Sequence, residues 1–231
     1  MRSAKTTGRT VGILLLLQLA CGLMLPFILW HPLIRGVPAF LAEAAGKATQ
    51  IRVGVVLSFV GAGLTLAIGV TAFPVFRRYG YTLALWFLAA CLISCTLDAI
   101  QNATVMSMLS LSEEYVKLST ADNGVFLGLG TLAALIRRWV HYTQLLGFGA
   151  WIFLFYISLL RSALVPRVLA GLGVVGILLQ FTGVTLFGFL GYPNVMQMAM
   201  PLFPIHVAAG LWLIVKGFKE GNPTPGSAQV E

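Results

Sequence analysis

Charged residues are scarce in this sequence. Only 10% of its 231 residues are Asp, Glu, Lys or Arg, whereas a soluble domain carries about 25%. Only seven residues are acidic, 58% are hydrophobic, and the mean hydropathy is +0.92. A single soluble core cannot enclose so much apolar surface. The composition therefore excludes a soluble globular domain and predicts a chain covered by a lipid bilayer.

Cysteine and metal-binding motifs are also scarce. Cys21, Cys91 and Cys95 all lie in apolar runs without a CxxC pair, so we expect packed thiols rather than a disulfide framework. The histidines show no HxxxH or HExxH spacing, and we predict no dedicated metal site. The net charge of +8 comes from basic residues at the ends of apolar runs, a pattern typical of membrane proteins. We therefore expect no nucleic-acid partner.

Six apolar runs are long enough to cross about 30 Å of hydrocarbon. We predict an all-α polytopic membrane helix bundle with six transmembrane helices, forming a single domain over residues 1–219. The Gly-, Pro- and Ser-rich tail at 220–231 is expected to be disordered. Short connections are expected at 77–81, 161–167 and 191–194. The runs lie at residues 11–30, 51–75, 82–108, 139–160, 168–190 and 198–218.

The longest connection, residues 109–138, contains helix-start signals. Ser110 and Glu113 have the spacing of a capping box, and Asp122 or Asn123 could cap a second helix with the sequence GVFLGLGTLAALIRR. The apolar part of that segment is about 12 residues, which is too short to span a bilayer. We therefore predict a short extra helix that lies at the interface or extends the fourth span outward.

The distribution of basic residues predicts the orientation. The side with both termini carries nine basic residues and the opposite side carries six, which favours cytoplasmic termini in the inner membrane. The nine are Arg2, Lys5, Arg9, Arg77, Arg78, Arg161, Arg167, Lys216 and Lys219. The six are Arg35, Lys47, Arg52, Lys117, Arg137 and Arg138.

The third span carries the only acidic residue inside an apolar run, Asp98. Asn102 follows one helical turn later on the same face, with Gln101 beside it. An ionisable group at membrane depth faces a protein interior or a site, because exposing its charge to lipid costs several kcal/mol. This face is therefore either a polar pocket or a network of hydrogen bonds between helices.

Helix geometry places further polar residues near Asp98. Counting about 1.5 Å per residue puts Asp98 about 6 Å, and His206 about 9 Å, below the outer edge of the hydrocarbon. His141 and Tyr142 lie at the outer rim of the fourth span, with Gln144 nearby. We therefore predict an outer-leaflet site in which Asp98 is the candidate catalytic group. The candidate ligand-binding residues are Gln101, Asn102, His141, Tyr142 and His206.

Three kinds of chemistry fit these residues. The leading hypothesis is binding of a small apolar or lipid-like molecule. A membrane-embedded acid–base enzyme acting on an isoprenoid or lipid would use Asp98 as a buried proton donor. Haem held by His141 and His206, or a metal held by the same residues, is a further alternative, and the cofactor is otherwise unknown.

Small residues form a stripe on the second span. Gly61, Thr65 and Gly69 recur at every fourth position, which allows helices to approach closely. The stripe predicts close packing either within the bundle or between copies in a homo-oligomer. Membrane lipids are the other expected partners.

Four segments resemble a bacterial multi-pass membrane family known as domain of unknown function 4386. The resemblance covers residues 9–219 and implies a helical inner-membrane protein. It implies no established activity and no catalytic residue. The segments are PVFRRYGYTLALWFLAA at 74–90, MSMLSLSEEY at 106–115, RSALVPRVLAGLGVVG at 161–176 and LWLIVKGF at 211–218.

Overall fold

The computed structural model describes residues 3–25, 31–117 and 123–219. Within these ranges the chain forms eight α-helices. The helices are α1 Ala4–Met24, α2 His31–Ile34, α3 Ala39–Glu43, α4 Ala48–Phe76, α5 Tyr81–Tyr115, α6 Asn123–Ser162, α7 Arg167–Val184 and α8 Leu202–Lys216. A 3₁₀ turn precedes α4 at Ala45–Lys47, a π-helical turn follows α7 at Thr185–Phe189, and a second 3₁₀ turn lies at Met196–Ala199.

Six helical segments in the described ranges are long and apolar enough to cross a membrane, and they correspond to the six predicted runs. The predicted fold class is therefore confirmed. Residues 26–30 of the first run and the tail at 220–231 lie outside the described residues. The segments are Ala4–Met24, Ala45–Phe76, Tyr81–Tyr115, Gly124–Ser162, Arg167–Phe189 and Met196–Lys216.

Two of the helices exceed the length that a span requires. α5 has 35 residues and α6 has 40, which correspond to about 52 Å and 60 Å of helix. α6 begins at Asn123, so the predicted extra helix is its first part and extends the fourth span. The predicted capping residue Asp122 lies outside the described residues.

The capping box predicted at Ser110 and Glu113 is wrong, because both residues lie inside α5. The side chain of Glu113 makes a tertiary contact, because it accepts a hydrogen bond from Arg52 of α4 at 2.7 Å. The connections predicted after α4 and α6 are confirmed. Four residues separate the end of α4 from Tyr81, where α5 begins, and Pro166 directly precedes α7.

The described residues form two compact units. Of the described residues, the first unit contains those that fall within 1–17, 63–95 and 145–231, and the second unit contains those that fall within 18–62 and 96–144. The expectation of one domain over residues 1–219 stays a prediction.

Aromatic rings fill the core of the first unit. The ring of Phe76 lies 5.3 Å from that of Phe87, 6.1 Å from that of Phe155 and 5.9 Å from that of Phe218. Glycines bring α1 and α8 together, because a Cβ at Gly12 would lie 2.8 Å from the carbonyl oxygen of Gly210. Van der Waals packing of this kind drives helix association in a bilayer.

Apolar side chains and one buried hydroxyl organise the second unit. Ser112 of α5 donates to the carbonyl oxygen of Leu41 at 2.7 Å and accepts from the amide of Ala45 at 2.9 Å. These bonds attach the α3 segment to α5. The apolar core consists of Leu33, Phe40, Leu41, Ala44, Ile51, Val55, Val105, Met108 and Leu109.

Candidate functional site

The polar face predicted on the third span lies in α5 of the second unit. Gln101 is 0% exposed and Asn102 is 1% exposed, while Asp98 is half-buried. Residues three and four apart on a helix are neighbours on its surface, so both amides lie next to Asp98. The apolar residues Val105 and Met108 follow on the same face toward the end of the helix.

Gln144 of α6 connects Asp98 to His141. Its amide nitrogen donates to a carboxylate oxygen of Asp98, and its amide oxygen lies 3.3 Å from Nδ1 of His141. An amide oxygen only accepts, so Nδ1 of His141 carries the hydrogen of this bond. In the neutral imidazole the other nitrogen, Nε2, is then an acceptor. The chain of bonds therefore orients His141, Gln144 and Asp98 together.

A second contact fixes the register between α5 and α6. The rings of Tyr115 and Phe126 lie 6.0 Å apart. Tyr115 is 17 residues after Asp98, and Phe126 is 18 residues before Gln144. α5 and α6 are thus antiparallel. A residue that follows Asp98 by a given number of positions lies opposite one that precedes Gln144 by about the same number. Gln101 is three residues after Asp98, and His141 is three residues before Gln144, so they lie at the same level.

The two buried amides have unsatisfied hydrogen-bonding capacity. Over the described ranges, neither polar side-chain atom of Gln101 nor either one of Asn102 has a hydrogen-bond partner. A buried polar group without a partner costs about 1–3 kcal/mol. Most buried polar atoms in proteins are paired for this reason. Four unpaired atoms on two adjacent residues therefore make this segment of α5 a candidate binding site.

A cation and aromatic rings lie next to the site on the side toward the start of α6. Arg137 lies one helical turn before His141 on α6, and its Nε atom has no hydrogen-bond partner in the described part of the chain. Tyr142 is buried, with its ring 6.3 Å from Trp139 and 6.1 Å from His141. The structure therefore groups Asp98, Gln101, Asn102, His141 and Tyr142 in the second unit.

His206 belongs to the first unit and has partners there. It is 2% exposed, and its Nδ1 lies 3.0 Å from the hydroxyl of Tyr156. The ring of Trp151 is 6.2 Å away in an edge-on arrangement. Sequence reasoning did not identify Tyr156 or Trp151, because aromatic residues in an apolar span are common and carry no distinguishing pattern.

Among the described residues, the structure does not bring together a set of side chains that could bind a metal or haem. Among the residues that the structure describes, no three His, Cys, Asp or Glu side chains come together as metal ligands. His141 bonds to Gln144 and His206 bonds to Tyr156, each within its own unit. Cys21, Cys91 and Cys95 are not joined in a disulfide.

The stripe of small residues on α4 packs within the protomer. A Cβ at Gly61 would lie 3.5 Å from Cys21, and a Cβ at Gly69 would lie 3.1 Å from Cys91. Thr65 is 1% exposed. Of the two alternatives that the stripe predicted, the structure shows close packing within the bundle. A contact between copies through the same residues stays a prediction.

The long apolar helices and their buried polar cluster define a polytopic helical membrane protein. The family model described as a domain of unknown function (DUF4386) matches residues 10–217, and the chain belongs to that family. Neither the curated proteins nor the solved structures provide a significant match. The family predicted from four sequence segments is thereby confirmed.

Proposed function

We propose that this protein binds a small apolar or lipid-like molecule whose polar group lies among Asp98, Gln101, Asn102 and His141, beside Tyr142. One observation carries the proposal. Gln101 and Asn102 are almost completely buried, and none of their four polar side-chain atoms has a partner among the described residues. A ligand with a polar head would supply the missing hydrogen bonds.

The location of these amides favours a ligand over a structural role. An apolar side chain would fill the same space in a membrane span without the cost of an unpaired polar group. Asp98 and His141 are each half-buried, so part of the cluster is accessible from outside the protein. The apolar part of the ligand would lie beside exposed side chains on the same helices, such as Ile100 and Ile136.

Native mass spectrometry of protein purified in a mild detergent tests this function. We expect a bound molecule with the wild-type protein and its loss when Gln101 and Asn102 are both replaced by Leu. The matched control is Ser107→Ala, which removes an exposed hydroxyl from the same helix. Absence of a bound molecule from the wild type, or equal retention by the double variant, would contradict the proposal.

A membrane-embedded acid–base enzyme acting on an isoprenoid or lipid is the second candidate function. The observation that favours it is the chain of bonds from His141 through Gln144 to Asp98, which orients a carboxyl group and an imidazole together. Incubation with a total lipid extract, followed by mass spectrometry, separates it from simple binding. An enzyme gives a product that Asp98→Asn abolishes, whereas a binding protein leaves the extract unchanged.

We also propose a location in the bacterial inner membrane with both termini in the cytoplasm. The excess of basic residues on that side supports the orientation. Near the two ends of the described chain, Arg9 donates to the carbonyl oxygen of Val215 at 3.3 Å. A C-terminal fusion to green fluorescent protein should fluoresce, and one to alkaline phosphatase should be inactive. The reverse pattern would contradict the orientation.

A further inference from the structure

Asp98 differs from the other acidic residues that the structure describes. Arg35 pairs with Glu43 at 2.8 Å, Arg52 pairs with Glu113 at 2.7 Å, and Lys117 pairs with Glu114 at 2.8 Å. Within the described ranges these bonds give every glutamate a basic partner. Asp98 forms no ion pair there, and its bonded partner is the neutral amide of Gln144. Among these four acids, the half-buried Asp98 is thus the one without a cation.

The two arginines of the facing helix lie too far along it to pair with Asp98. Arg138 lies six residues and Arg137 seven residues before Gln144, which corresponds to about 9 Å and about 10 Å along α6. His141 lies between these arginines and Gln144, and its Nδ1 hydrogen is directed to Gln144. Because a buried charge without a counterion is costly, the site favours a cation from outside the chain.

From this charge and these oxygens we infer that the ligand of the proposed site carries a primary ammonium group. The inference rests on the proposed binding function. Three oxygens that can accept lie on one face of α5. Two are the amide oxygens of Gln101 and Asn102, which have no partner among the described residues, and the third is the carboxylate oxygen of Asp98 other than the one that Gln144 bonds. A primary ammonium has three N–H donors and one positive charge. It matches both the number of acceptors and the charge of Asp98.

The remaining groups define the surroundings of the ammonium. The amide nitrogens of Gln101 and Asn102 are donors, so they select a ligand with an oxygen close to its amine. Nε2 of His141 offers one more acceptor at the level of Gln101. A quaternary ammonium carries the same charge but has no N–H to donate, so it should bind more weakly.

Three amphiphiles with identical hydrocarbon chains separate the contribution of the positive charge from that of the N–H donors. Hexadecylamine, hexadecan-1-ol and hexadecyltrimethylammonium are titrated into detergent-purified protein at pH 7, and binding is measured by native mass spectrometry. We expect the amine to bind about tenfold more tightly than the alcohol, with the trimethylammonium weaker than the amine. Asp98→Asn should remove the preference for the amine, so that the variant binds the amine and the alcohol with similar affinity.

The control variant is Glu114→Gln, which makes the same chemical change at an exposed position of α5. It should retain the preference of the wild type. Equal binding of amine and alcohol by the wild type would overturn the ammonium inference while leaving the proposed binding function intact. Binding of none of the three would overturn both. A preference that persists in Asp98→Asn would also overturn the inference, because the carboxylate would not be its source.

Discussion

The amide nitrogen of Gln144 donates a hydrogen bond to the carboxylate of Asp98, and this bond joins α5 to α6 in the second unit. The same side chain contacts His141 through its amide oxygen, so one neutral residue orients two ionisable ones. Its removal should therefore affect both neighbours at once.

Gln144→Leu should lower the free energy of unfolding by about 1–3 kcal/mol, because Asp98 and His141 each lose a partner. Asn102→Leu should be close to neutral or stabilising in the absence of ligand, because it removes polar atoms that already lack partners. Thermal unfolding in one detergent, on delipidated protein, measures both. A larger loss in Asn102→Leu than in Gln144→Leu would contradict the hydrogen-bond assignments at this site.

Tyr156→Phe should destabilise the first unit by about 1–2 kcal/mol, because Nδ1 of buried His206 loses its hydrogen bond. Hexadecylamine binding should not change, because the proposed site uses residues of the second unit only. Unfolding and native mass spectrometry on the same preparation test both expectations. Loss of binding together with retained stability would show that this pair belongs to the ligand site.

Two glycines of α7 provide a matched test of packing. A Cβ added at Gly173 would overlap the ring of Tyr156, whereas a Cβ at Gly171 would meet no atom within 4 Å. Gly173→Ala should therefore destabilise the protein by about 1–3 kcal/mol. Gly171→Ala should be neutral or stabilise it by up to about 1 kcal/mol through helix propensity. Similar melting temperatures for the two variants would refute the close contact at Tyr156.

Ser112→Ala should destabilise the second unit by about 1–2 kcal/mol, because the hydroxyl bonds both the carbonyl oxygen of Leu41 and the amide of Ala45. Ser110→Ala is the control, since Ser110 is exposed on the same helix. Hydrogen exchange should become faster around residues 39–47 in Ser112→Ala alone. Unchanged exchange in that segment would show that the two bonds do not hold it against α5.

The six spans could be predicted from sequence because a run of about 20 apolar residues has few stable alternatives to a membrane helix. Asp98 stood out for the same physical reason, since a carboxyl group is costly at that depth. The bond from Gln144 to Asp98 could not be predicted, because the register between two helices depends on packing that no local pattern specifies. The helix start predicted at Ser110 and Glu113 was wrong because α5 continues through both residues. Glu113 bonds Arg52 on another helix and does not cap a new one, and no local pattern indicates that contact.

A high-resolution cryo-electron microscopy map of protein extracted without harsh detergent would show directly whether a ligand occupies the site. We expect non-protein density, continuous with a hydrocarbon tail, within hydrogen-bonding distance of the side-chain amides of Gln101 and Asn102 and of the carboxylate of Asp98. A map in which these amides bond only to protein groups or ordered water would contradict this expectation.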